Sequence, residues 1–215
     1  MQRLLKNIIL LFVAVIAIVV QSCSNTEAEK KLTEGKILVD AKKWEDAITK
    51  LTIAIDEGDN KTKAKAYYQR ALAKEQLRDE KGAIADYTEA LKLNENDYES
   101  WHNRGILKDN MNDRFGAIED YTRAIEVDEK RYEAYLNRGV VYSNMSKRTE
   151  ALSDFKKATE RNPEFARAWY FLALTKKDLN DTSACFDAKN AEILGLPEAT
   201  EFLKANCGQR DKLPF

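Results

Sequence analysis

Residues 132–165 read YEAYLNRGVVYSNMSKRTEALSDFKKATERNPEF, and the spacing of small residues in this stretch decides the fold. With Ala151 taken as position i, Gly139 stands at i−12 and Ala158 at i+7. Glycine or alanine recurs at corresponding places along the chain. The counterparts of Ala151 have successive spacings of 36, 34, 34 and 33: Ala47, Ala83, Ala117, Ala151 and Ala184. Columns that coincide at a nearly constant period indicate a tandem repeat of about 34 residues.

The repeat resembles the tetratricopeptide repeat (TPR), a helix–turn–helix unit of about 34 residues. The family motif, aromatic-x-x-Leu-Gly-x-x-Tyr…Ala-x-x-x-Phe…Pro, reads here as Tyr135-x-x-Arg138-Gly139-x-x-Tyr142…Ala151-x-x-x-Phe155…Pro163. The resemblance implies an all-α fold, a right-handed α-solenoid of five TPR helical hairpins followed by a C-terminal capping helix. Counted from position 1 of the motif, the five units are residues 28–61, 64–97, 98–131, 132–165 and 166–198.

Positions 8 and 20 of the unit hold only glycine or alanine, because the two helices of a hairpin are expected to cross there. A larger side chain would push the backbones apart, at a cost of about 1–3 kcal/mol. Large residues at positions 4 and 24, among them Trp101, Tyr121 and Trp169, are expected to fill the space between helices. One hairpin cannot bury its apolar face alone, so stacked hairpins should form the core.

Position 7, usually leucine in this family, is arginine in three units, and position 23 of the same units is aspartate. The three pairs are Arg70 with Asp86, Arg104 with Asp120 and Arg138 with Asp154. In the first unit the signs are exchanged, with Glu34 at position 7 and Lys50 at position 23. This exchange favours a direct ion pair within each hairpin over an arginine ladder that binds anionic ligands.

The C-terminal end of the array carries the pattern of a capping helix over residues 197–208, followed by a tail, 209–215. Pro197 and Gly208 are typical of a helix start and a helix end. Ala199, Leu203 and Cys207 repeat at i, i+4 and i+8. This spacing indicates one apolar stripe.

Cys185 lies in a column that is aliphatic in the other units and is expected to face this helix. One interpretation is a disulfide between Cys185 and Cys207, which requires Cα atoms within about 7 Å. The other is that both cysteines are small buried apolar residues.

Residues 1–22 are predicted to be a signal peptide, because basic residues precede an apolar run over residues 8–20. That run is short for a membrane-spanning helix, which needs about 20 residues. The junction Val20-Gln21-Ser22-Cys23 resembles the lipobox of bacterial lipoproteins, although Gln21 departs from the usual small or aliphatic residue. The resemblance implies a lipid on Cys23, a linker over 23–27, and a periplasmic or surface-facing location in a bacterial cell envelope. The alternatives are an uncleaved N-terminal membrane anchor and soluble secretion.

In TPR proteins the first helices of successive units line a concave groove, which implies a partner that is a protein or a peptide. Here the groove positions carry an apolar and aromatic stripe flanked by amides and carboxylates, a combination that suits an extended peptide. Part of the stripe is also expected to pack between neighbouring helices. Neither window of the chain reproduces the family's carboxylate clamp for chaperone C-termini. The predicted groove residues are Tyr68, Leu72, Gln76, His102, Asn103, Ile106, Asn110, Leu136, Asn137, Val140, Asn144 and Tyr170.

Composition disfavours nucleic-acid binding and catalysis. Lys plus Arg number 35 and Asp plus Glu number 36. No basic block stands out as a nucleic-acid footprint. Three cysteines and a single histidine leave almost no material for a metal site or a nucleophile–base pair, so we expect no metal, no cofactor and no catalytic residue. The favoured function is a membrane-tethered interaction scaffold, an adaptor or assembly factor. The alternative is a signal-anchored adaptor on the cytosolic face.

Overall fold

The computed structural model describes residues 26–208, and all regular secondary structure in this range is helical. The chain divides into two compact parts after Ser100. The N-terminal part holds α1 (26–40), α2 (Trp44–Glu57), α3 (Asn60–Gln76), α4 (Glu80–Leu93) and the start of α5 (Tyr98–Asn110). The C-terminal part holds the rest of α5, then α6 (Arg114–Val127), α7 (Tyr132–Asn144), α8 (Arg148–Arg161), α9 (Ala166–Asp178), α10 (Ala184–Ile193) and α11 (Pro197–Asn206). The predicted all-α class is confirmed.

The turn inside each hairpin has the same backbone form. Position 15 of every unit adopts a left-handed conformation with φ between 57° and 66°: Lys42, Arg78, Asn112, Ser146 and Asn180. The residue after it returns its N–H to the end of the first helix; Asp113 N, for example, lies 2.8 Å from Lys108 O. The Asp113 carboxylate then accepts the N–H of Gly116 at 3.0 Å and caps the second helix. Hydrogen bonds of this kind end one helix and start the next, so each hairpin closes with a short turn.

Helix α3 begins earlier than the repeat alignment suggests. Its N-cap, Asp59, accepts a hydrogen bond from Thr62 N at 2.8 Å, and the helix runs from Asn60. Thr62 and Lys63, which the alignment leaves between the first two units, consequently lie inside α3. Since nothing in this stretch breaks a helix, the capping aspartate sets the start.

Position 24 carries the largest buried side chains of the hairpins: Leu51, Tyr87, Tyr121 and Phe155. These side chains lie against the small residue at position 8. A Cβ added at Gly139 would lie 2.8 Å from Phe155 Cε1, and one added at Gly105 would lie 2.9 Å from Tyr121 Cε1. The close helix crossing expected from the small-residue columns is thus present.

The tryptophans at position 4 are less buried than the sequence pattern suggests. Trp101 and Trp169 are half-exposed. The ring of Trp101 lies under the Arg104 guanidinium, with Arg104 Cζ 4.8 Å from the ring centroid. In three units the ring at position 4 lies against the arginine of position 7. Tyr135 and Trp169 also pack in or against buried clusters, so position 4 contributes to the core beside position 24.

Candidate partner-binding surface

The arginines at position 7 pair with the aspartates at position 23 of their own hairpins. Arg138 donates from Nε and Nη2 to the two carboxylate oxygens of Asp154, both at 2.8 Å. Arg70 with Asp86 and Arg104 with Asp120 have the same two-pronged geometry. The direct pairing predicted from the exchanged signs is confirmed, since Lys50 Nζ also lies 3.2 Å from Glu34 Oε2.

A threonine at position 25 extends this network to the preceding hairpin. Arg70 Nη1 donates to Thr52 Oγ1 at 2.9 Å, and Arg138 Nη1 donates to Thr122 Oγ1 at 2.8 Å. Each hydroxyl in turn donates to a carbonyl one helical turn back, at 2.8 Å and 2.7 Å. A hydroxyl can accept and donate at once, so one threonine joins two hairpins.

The threonine was not among the predicted contacts, although the sequence carries a signal for it. Threonine stands at position 25 of the first three units, each followed by a unit with arginine at position 7. The fourth unit has Lys156 at position 25, and the unit after it has Leu172 at position 7. The two positions change together, as a contact between hairpins requires.

Lysines at position 11 supply a second cation to the buried aspartates. Lys74 lies 2.8 Å from Asp86, and Lys108 lies 2.9 Å from Asp120. In the last unit, Lys176 lies 2.5 Å from Asp187, whose pKa burial raises despite this ion pair. The lysines and arginines at positions 7 and 11 therefore form their ion pairs inside the hairpins.

A cleft of about 240 Å³ lies between α5 and α7 in the C-terminal part. Its lining residues come from α5, α6 and α7: Ile106, Asp109, Asn110, Tyr121, Asn137 and Val140. Four of these are predicted groove residues, and the structure brings them together. Asp109 and Tyr121 were not predicted. Asp109 stands at position 12, a groove position of the family, so the repeat pattern could have predicted it. Tyr121 stands at position 24, which is not a groove position.

His102 connects the first helices of two successive hairpins. Asn137 Nδ2 lies 3.0 Å from His102 Nε2, and His102 Nδ1 lies 3.4 Å from Asn103 Oδ1. Both contacts are satisfied by a neutral ring that carries its proton on Nδ1. The ring centroid also lies 5.9 Å from that of Tyr121. These contacts give the histidine a structural role in one wall of the groove.

Several predicted groove residues of the C-terminal part also belong partly to the core. Leu136 and Val140 pack against the buried cluster around Phe155. Tyr170 packs edge-on against Phe202 of α11, with ring centroids 6.3 Å apart. Asn144 is exposed at the end of α7. The expectation that part of the stripe serves packing agrees with these contacts.

Three predicted groove residues lie on α3 in the N-terminal part. Leu72 is half-buried and Gln76 is exposed. The ring of Tyr68 lies 5.9 Å from that of Tyr87, whose hydroxyl donates to Glu75 Oε1 at 2.5 Å. Burial raises the pKa of Glu75, and the hydrogen bond from Tyr87 opposes that rise.

The two C-terminal cysteines are joined. Cys185 on α10 and Cys207 at the end of α11 form a disulfide, with Cα atoms 5.8 Å apart. Together with Phe202 and Ala199, which are also buried, the bond fastens α11 to the last hairpin. Cys23, the predicted lipidation site, lies outside the described residues.

Sequence models of the tetratricopeptide repeat match residues 64–97, 98–131 and 132–165. The chain contains tetratricopeptide repeats. The three matched ranges have the same bounds as the second, third and fourth units of the alignment.

Solved TPR structures share this fold over most of the chain. YrrB, described as a TPR protein with an unusual peptide-binding site, is 21% identical, with a TM-score of 0.70 over 81% of this chain and 90% of YrrB. MamA is 18% identical, with a TM-score of 0.70 over 84% of this chain and 95% of MamA. MamA from Desulfovibrio magneticus RS-1 is 16% identical, with a TM-score of 0.67 over 84% of this chain and 97% of that chain. At these identities the likeness establishes the TPR solenoid fold.

Two further findings concern residues 26–208 of this TPR chain. No helix there is both long and apolar enough to cross a membrane. In the same range no group of three or more histidine, cysteine and acidic side chains is placed to hold a metal ion.

Proposed function

We propose that this TPR chain is an interaction scaffold, and not an enzyme, that binds an extended protein or peptide segment along the first helices of its hairpins. The observation that carries the proposal is the cleft between α5 and α7. Its lining combines apolar side chains, Ile106 and Val140, with amide groups, Asn110 and Asn137. Apolar surface contributes affinity, and amides can pair with the backbone of an extended peptide.

The ion pairs at positions 7, 11 and 23 also support a peptide-binding surface along the first helices. The lysines and arginines at positions 7 and 11 are paired with buried aspartates inside the hairpins. The α5 and α7 residues that line the cleft are instead two half-buried apolar groups, two amides and one carboxylate. Such a surface is typical of a partner-binding site, in which a few well-placed groups contribute most of the affinity.

The test is selection of displayed random peptides on the whole chain, followed by affinity measurement with two variants. Asn110→Trp places a large side chain in the cleft from its edge, and we expect it to weaken binding at least tenfold, about 1.4 kcal/mol. Ser153→Trp adds the same side chain at an exposed position on α8 and should leave affinity unchanged. Peptides that bind both variants as tightly as the parent would place the site elsewhere.

We further propose that the chain is a lipoprotein, tethered through Cys23 in a bacterial cell envelope. The proposal is supported by the lipobox-like junction at residues 20–23 and by the Cys185–Cys207 disulfide. Disulfides persist in oxidising compartments, and the periplasm is one of them. The competing proposal, a signal-anchored adaptor on the cytosolic face, would leave that cysteine pair in a reducing compartment.

A further inference from the structure

We propose that the cleft between α5 and α7 is a subsite for a lysine or arginine side chain of the bound partner. This inference rests on the proposed function, because it names the residue class that the groove would recognise at this point. The occupant is a long side chain with an apolar stem and a cationic head, extended over Ile106 and Val140 toward Asp109.

The size of the cleft suits a single side chain. Its volume is about 240 Å³. Pockets for small molecules are larger, typically above roughly 300 Å³. A globular surface cannot enter a cleft of this size, whereas one side chain of an extended peptide can. The apolar residues of the lining, Ile106 and Val140, match the methylene stem of lysine or arginine.

The charge of the cleft favours a cationic group at the end of the bound side chain. Asp109 is the one charged residue among the six that line the cleft, so the lining carries a single negative charge. Between residues 26 and 208, no lysine or arginine forms an ion pair with Asp109. A half-buried carboxylate gains most from a cationic donor, because a charge-assisted hydrogen bond is stronger than a neutral one.

The lysine and arginines of α5 and α7 do not line the cleft, and they pair with aspartates of the following helices. Arg104 and Lys108 both contact Asp120, at 2.7 Å and 2.9 Å. Arg138 contacts Asp154 at 2.8 Å. Within the described part of the chain, Asp120 thus has two cations and Asp109, on the groove side of α5, has none. A lysine or arginine of the partner could therefore form an ion pair with Asp109.

The experiment is an NMR titration of the whole chain with two small probes, Nα-acetyl-lysine methylamide and its norleucine counterpart. The lysine probe should shift the signals of Asp109, Asn110 and the Asn137 side-chain amide. Asp109→Asn should weaken its binding roughly five- to tenfold, the effect of one charge-assisted hydrogen bond at a half-exposed site. Glu119→Gln removes the same charge from an exposed position on α6 and should have no effect.

The norleucine probe should bind the parent and Asp109→Asn alike, because it lacks the charge. Equal binding of the lysine probe to the parent and to Asp109→Asn overturns the inference, and so does the absence of shifts at the cleft. Selected peptides that need Asn110 but contain no enriched basic residue also overturn it, while the proposed function stands. If the lysine probe binds through Asp109 but no selected peptide depends on Asn110, the proposed function fails and the subsite remains.

Discussion

At the scale of single residues, one hydrogen-bonded link between hairpins is a threonine hydroxyl that accepts a hydrogen bond from an arginine of the next unit. Arg138 Nη1 lies 2.8 Å from Thr122 Oγ1, and both residues are half-buried. Removing the hydroxyl would leave an N–H of a charged group without its acceptor. That loss is costly because the arginine cannot turn to water without breaking its pair with Asp154.

We therefore expect Thr122→Val to lower the free energy of unfolding by about 1–2 kcal/mol in denaturant titration. Valine has a similar shape and a similar helix propensity, so the change isolates the hydroxyl. Thr49→Val is the matched control: Thr49 is exposed and donates to a carbonyl one turn back, with no arginine partner in the described range. Equal losses in the two variants would show that the link to Arg138 contributes nothing.

Glu75 gives a second prediction at this scale. Burial raises the pKa of its carboxyl in the folded state, so the folded protein holds the proton to higher pH than the unfolded chain. In the unfolded chain the pKa of a glutamate is about 4.3. As pH rises from below this value through the higher folded pKa, ionisation of Glu75 lowers the free energy of unfolding.

Glu75→Gln should accordingly stabilise the protein at neutral pH relative to the parent, with a smaller difference near the unfolded pKa. The measurement is thermal unfolding across that range. Tyr87→Phe removes the hydrogen bond that opposes the rise, so it should move the carboxyl's NMR titration midpoint upward. A downward movement would contradict this assignment of causes.

At the scale of elements, the hairpins with glycine at position 8 depend on a close approach between that position and position 24. A side chain at Gly139 would overlap the buried ring of Phe155. Gly139→Val should therefore lower the free energy of unfolding by about 1–3 kcal/mol, even though valine is the better helix former. Ser143 is exposed on α7. Ser143→Val should change stability by less than about 0.5 kcal/mol. A Gly139→Val protein as stable as its parent would mean that the hairpin can widen freely.

Helix α11 depends on its disulfide because it is short. It has 10 residues, and the bond closes a loop over a sequence separation of 22. So short a helix is marginal by itself. The chain-entropy model gives about 3 kcal/mol for a loop of this size. Reduction should lower stability by about that amount and speed amide exchange in α11 first.

The double variant Cys185→Ala/Cys207→Ala should be insensitive to the reductant, which separates the bond from other effects of the reagent. Thiol labelling of the unfolded, unreduced protein should leave both cysteines unmodified. Complete labelling of the two would contradict the bond.

At the scale of the whole molecule, the proposed tether sets where the TPR array works. Mass spectrometry of the protein purified from its native cells should find Cys23 as the N-terminal residue, carrying lipid. Cys23→Ser should abolish the modification and release the protein from membranes. An intact Met1, or an unmodified Cys23, would rule out the lipoprotein and favour the N-terminal anchor.

The sequence by itself determined the repeat, the all-α class and the pairing of positions 7 and 23. These features depend on residue size and charge within one hairpin, where a fixed period carries each residue to a known place on a helix. Gly139 opposite Phe155 and Arg138 beside Asp154 could be expected because both contacts lie inside a single unit.

Only the tertiary structure decided the contacts that join one hairpin to the next. The contact between His102 and Asn137 and the placing of Asp109 and Tyr121 in one cleft depend on how far successive hairpins rotate. The bond from Arg138 to Thr122 depends on it too, although positions 25 and 7 change together in the sequence. That rotation is the sum of many small packing differences between side chains of similar hydrophobicity, which a periodic pattern does not record. The same rotation decided which groove residues line an open surface and which, like Tyr170 beneath Phe202, are covered by the neighbouring helix.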